Sequence, residues 1–90
     1  MAEEKAEIDF YTFVLSLASS AFVHLGDAPH PETGELGKPS LVLAQQTIDI
    51  IAMLREKTKG NVTEEEEKLL ENVLTDLRLR FVTRKGEGGP

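Results

Sequence analysis

An all-α fold of three helices is predicted by three features of this 90-residue chain. Apolar residues recur at helical spacing through three segments, and no segment alternates apolar and polar residues as a strand would. Each segment is also bracketed by start and stop residues. The expected helices span about residues 10–25, 41–59 and 64–83 of one helical domain, 9–84. The acidic N-terminus (1–8) and the glycine-rich tail (85–90) are expected to be disordered.

The first helix is framed by Asp9, whose short carboxylate can accept a first-turn N–H, and by Gly26, placed for a left-handed closing residue. Between them, "FYTFVLSLASSAFVHL" is apolar nearly all round. Its polar residues, Thr12, Ser16, Ser19, Ser20 and His24, are small or neutral, and none is an acid, a lysine or an arginine. A helix without a charged face is buried on most sides, yet two further helices of so short a chain cover only one of them. The expectation is an oligomer interface on this helix, carried by Phe13, Ser16, Leu17, Ser20 and Val23. The small residues permit close helix approach, and a homodimer with two-fold symmetry is the simplest assembly. Two other readings stay open: a central helix wrapped by its own chain, and a helix lying on a membrane surface, although the basic face wanted there is missing.

The second helix starts at Ser40 and closes at Gly60. Leu41, Leu43, Ala44, Ile48, Ile50, Ile51 and Leu54 form its apolar arc; Gln45, Gln46, Asp49, Glu56 and Lys57 form the polar one. The third opens with a capping box, Thr63 and Glu66, and buries Leu69, Leu70, Val73, Leu74, Leu77 and Phe81. The short link between them makes an antiparallel hairpin. Its charges look like chemistry and read as helix grammar. "KTKGN" puts cations at a helix C-terminus and "TEEEE" puts carboxylates at an N-terminus. Arg78, Arg80, Arg84 and Lys85 repeat the basic end, and Glu64/Lys68 and Asp76/Arg80 stand in the favourable i, i+4 order.

The connection "GDAPHPETGELGKPS", residues 26–40, is long for a compact helical domain, and its prolines stiffen it. His24, His30, Asp27, Glu32 and Glu35 raise the possibility of a metal site, but no ligand spacing is enforced, so no metal or cofactor is expected. A semi-rigid crossover is the plainer reading. Its reach allows the second helix to pack on its own first helix or on a neighbour's.

Composition narrows the function classes. There is no cysteine, hence no disulfide and no thiolate chemistry. With 16 acidic residues against 10 basic, the formal net charge of −6 argues against nucleic acid as a partner. The uncharged run from Phe10 to Gly26 is too short and too polar to span a membrane, and no signal segment precedes it. No phosphate-cradling glycine loop and no nucleophile–base arrangement stands out, so an enzyme is not expected. The chain reads as a cytoplasmic, homo-oligomeric protein–protein interaction or scaffold module with an unidentified further protein as an optional partner. A regulator binding a small molecule or metal through the 26–40 loop is the alternative.

"FYTFVLSLASSAFVHLG", "QQTIDIIAMLREKTKGNVTEEEEKLL" and "LTDLRLRFV" together resemble a family of short bacterial proteins known as a domain of unknown function, over about residues 8–82. The resemblance implies a bacterial, cytoplasmic, helical protein and brings no catalytic residue or cofactor with it.

Overall fold

The computed structural model describes residues 9–87 and contains three helices: α1 (Phe10–Leu25), α2 (Leu41–Lys57) and α3 (Glu64–Glu87). The expected disordered segment 1–8 and residues 88–90 of the tail lie outside the described residues. Each helix packs on both others around Val14, Ala21, Leu25, Ala44, Ile48, Ile51, Leu70, Leu74 and Leu77.

Helix starts follow from local hydrogen bonds. Asp9 Oδ1 accepts from Thr12 N at 2.8 Å, and Ser40 Oγ accepts from Leu43 N at 3.4 Å. Thr63 and Glu66 bond reciprocally: Glu66 N donates to Thr63 Oγ1 at 3.0 Å, and Thr63 N donates to Glu66 Oε1 at 2.9 Å. Each bond satisfies a donor that the first turn of a helix leaves open.

Helix ends depart more from expectation. α1 stops at Leu25, where Gly26 turns left-handed (φ 80°). Gly26 N donates to Val23 O and Asp27 N to Phe22 O, both at 2.9 Å, which makes a Schellman closure. α2 ends at Lys57, two residues short of the expected Lys59. Thr58 N still reaches Leu54 O at 2.9 Å, but Lys59 N bonds back only to Glu56 O, at 3.4 Å. The chain thus tightens by one residue before Gly60 turns left-handed (φ 84°).

α3 corrects the expected tail. It continues past residue 83 to Glu87, so Lys85–Glu87 are helical rather than disordered. Gly86 disfavours a helix by about 1 kcal/mol, but the preceding turn is fixed from outside through Arg80 and Arg84.

The buried arc of α2 is also rotated from the one the hydrophobic pattern suggests. Ala44, Thr47, Ile48 and Ile51 are buried, whereas Leu43 and Ile50 are exposed. Thr47 is tolerated inside because its Oγ1 donates to Leu43 O at 3.1 Å. Of the two i, i+4 pairs, Asp76–Arg80 closes at 3.0 Å.

Candidate interaction surface

α1 has more large apolar residues than its inward side holds, although Phe10, Leu17 and Phe22 also pack partly buried against the core. The residues it buries fully are Val14, Ala18, Ala21 and Leu25, two of them alanines. Tyr11, Phe13 and Leu15 remain 43%, 41% and 44% exposed on the other sides. Successive residues advance by about 100°, so Thr12, Ser16, Ser19, Ser20 and Val23 lie opposite the buried stripe. Thr12, Ser16, Ser19 and Ser20 are exposed, while Val23 and Leu17 are partly buried. Leu17 packs against the core cluster, so of the five residues singled out for contact it is the one most occupied within its own chain. Ser16 Oγ donates to Thr12 O at 3.1 Å, back to its own helix.

Other exposed apolar residues (Val42, Ile50 and Met53 on α2, Leu79 and Val82 on α3) share their faces with Asp49, Lys57, Arg78 and Lys68. Apolar residues among charges are ordinary surface. The outward side of α1 differs in having no acid, lysine or arginine over its whole length.

The 26–40 loop folds back on itself at the C-terminal end of this face. Ser40 N donates to His24 O at 2.7 Å, joining the loop's two ends and leading α2 onto its own chain. A Cβ on Gly26 would stand 3.2 Å from Pro39 Cγ and 3.4 Å from Gly37 O, so a side chain there crowds the loop as well as straining the left-handed backbone. Inside the loop, Gly34 N donates to His30 O at 2.7 Å and His30 N to Glu35 O at 2.9 Å, forming the turn that "PETGE" favours. Between loop and helix lies an open cavity of about 230 Å³ lined by Ser19, Ser20, Val23, His24, His30, Pro31 and Glu32.

Asp27 is held elsewhere. Its Oδ1 accepts from Arg84 Nη2 at 2.6 Å and from Arg84 Nε at 3.2 Å, and its Oδ2 accepts from Arg80 Nη1 at 3.0 Å. The Arg84 hydrogen bond first, with help from Arg80, keeps the Asp27 carboxyl below its ordinary range, against a burial effect that raises it. Asp27 and then Asp76 push Arg80 up in turn. The Arg80 guanidinium also stacks over the Phe22 ring, 4.9 Å from its centroid. Asp9 is likewise lowered, chiefly by the Thr12 backbone N–H. Among the described residues no group of three or more His, Asp or Glu side chains converges on a metal-sized point. His24, His30 and Glu32 meet at the cavity, while Asp27 faces α3.

The Asp27–Arg80–Arg84 cluster escaped the sequence reading, which assigned the arginines to the helix dipole. One signal was present: two arginines at i, i+4 share a helix face and suit a single carboxylate. Nothing in the sequence says which carboxylate. Arg55, which bridges to Glu67 at 2.9 Å and Glu71 at 3.5 Å across the hairpin, was missed for the same reason.

Among the described residues no helix is long and apolar enough to cross a membrane. No curated protein and no solved structure shows a significant match to the chain. A family profile does, over residues 7–83, and by that match the chain belongs to the family described as Domain of unknown function (DUF1844).

Proposed function

We propose that this protein is a non-enzymatic, self-associating interaction module of the bacterial cytoplasm, with the outward side of α1 as its contact surface. The observation that carries the reading is the pairing of exposed large apolar residues on α1 with an uncharged stripe. Alanines go inward, while Tyr11, Phe13 and Leu15 stay more than two-fifths exposed beside a stripe free of acids, lysine and arginine. Large apolar groups left in water are stabilised when a partner covers them, at roughly 25 cal/mol per Å². A chain of net charge −6 repels its own copy, and it does so least where the approaching faces are neutral. The loop supports the reading indirectly. Asp27 is bound by two arginines and the loop ends are bonded together, which describes a structural strap better than a cation cage.

The test is the mass in solution. Light scattering on a sizing column at about 100 μM should give twice the 9.9 kDa chain mass. The double variant Ser16→Glu/Ser20→Lys should abolish association while circular dichroism stays helical, because the two charges are one turn apart in a helix-stabilising order. A wild-type monomer at that concentration, or unchanged assembly of the double variant, would remove α1 from the role.

A further inference from the structure

The outward side of α1 carries a knob at one end and a hole at the other. Phe13 projects from the N-terminal half. Seven residues on, about 10.5 Å along the axis and within ~20° of the same direction, Ser20 lies on the wall of the cavity described above. A dry cavity of about 150 Å³ suffices for a benzene ring, and this one is about 230 Å³. We infer that two copies pair antiparallel along α1 about a two-fold axis crossing the helix between Ser16 and Leu17, so that the Phe13 ring of each copy fills the Ser20–Val23–His30–Pro31 cavity of the other. The inference rests on the proposed self-association and adds its geometry.

A two-fold axis at that point sets residue 13 level with residue 20, and residue 9 level with residue 24. Because the axis is perpendicular to the helix, it keeps each side chain on its own lateral side. Phe13, Ser20 and His24 lie on the same flank of the outward stripe, so the ring arrives where the cavity is. Hydrogen bonding suits the same register. Asp9, an acceptor held by the Thr12 N–H, comes level with His24 of the other copy, whose ring can donate. Glu32 is the one carboxylate on the cavity wall. In a parallel pair the two Asp9 carboxylates would come level with each other, each Phe13 ring would lie level with the other copy's residue 13 instead of its cavity, and both cavities would be left empty.

The area sets the strength. A 16-residue helix is about 24 Å long. One such face with the loop wall beside it covers on the order of 500 Å² per copy, against roughly 800 Å² in a standard interface. A contact of that size is at the small end of specific interfaces, so the two buried rings carry much of its stability.

The absence of cysteine makes crosslinking a clean readout. Single variants Thr12→Cys, Ser16→Cys and Ser20→Cys of the full chain would be treated with a bismaleimide of about 8 Å reach, a span suited to helices packed 8–10 Å apart. Ser16→Cys, next to the axis, should link to itself. Thr12→Cys and Ser20→Cys should link in a mixture, and neither alone. Phe13→Ala should weaken dimerisation about tenfold or more, as a central aromatic anchor does, while Leu79→Ala leaves it unchanged. If Thr12→Cys and Ser20→Cys each link to themselves and not to one another, the pair is parallel; the inference is overturned and the α1 contact stands. If dimers persist but Ser16→Cys does not link, both the geometry and the α1 surface are overturned.

Discussion

The two ends of the bundle are joined by the same chemistry, arginine on carboxylate, at very different separations along the chain. At the turn end Arg55 reaches Glu67 and Glu71, 12 and 16 residues away. At the crossover end Arg80 and Arg84 reach Asp27, 53 and 57 residues away. The burial differs too: the Asp27 side chain is 15% exposed, while Glu67 and Glu71 are 39% and 58% exposed. Water screens the turn-end pairs and the short link already holds those helices together, so they add little. At the crossover end no short link exists, and the carboxylate ties the loop and the last turns of α3 into one unit. The same residue types are ornament at one end and structure at the other.

Paired glycine variants give the largest expected separation of the two ends. Gly26 and Gly60 have nearly equal φ, 80° and 84°, so a side chain is strained at both. Only at Gly26 would it also meet Pro39 and the Gly37 carbonyl; around Gly60 nothing lies within 4 Å. Gly26→Val should cost about 3 kcal/mol and Gly60→Val about 1 kcal/mol, read from urea unfolding. Equal losses would mean that the loop yields freely to the new side chain.

Next in size is Asp27→Asn, expected to destabilise by about 1–2 kcal/mol after discounting the exposure of both arginines. Its pH dependence carries the sharper test. The folded-state pKa of Asp27 lies below its unfolded value of 3.8, so its contribution is complete well above that value. It is lost as pH falls through the lower folded value. Thermal melts of wild type and Asp27→Asn should therefore differ fully at about pH 6, begin to converge below about pH 4 and meet only once the pH is below the folded-state value. A difference that persists in acid would show that the carboxamide disturbs packing instead. The variant should also fray α3 at Lys85–Glu87, seen as faster amide exchange there.

The smallest effect is expected at the turn. Arg55→Ala should cost about 0.5 kcal/mol and lose that cost in high salt, since its pairs are largely exposed. A loss as large as that of Asp27→Asn would erase the distinction between the ends.

Wherever the physics is local, the sequence was sufficient. Asp9, Ser40, Thr63, Glu66, Gly26 and Gly60 act on backbone groups within a few residues of themselves, so the three helices and their starts could be read directly from the chain. The neutral character of α1 was legible for the same reason. Periodicity located the apolar arc of α2 only to within a turn's width: it placed Leu43 and Ile50 inside with Ala44, and packing against two neighbours kept Ala44, left Leu43 and Ile50 exposed and took in Thr47. Three features needed the tertiary structure. α3 runs on through Gly86 to Glu87, Asp27 takes two arginines from the far end of the chain, and the loop encloses a cavity beside Ser20. Each depends on where a distant segment comes to rest. Local propensity decides whether a segment is helical, but long-range contacts select its face, its length and its neighbours, because their energies exist only once the chain has closed on itself.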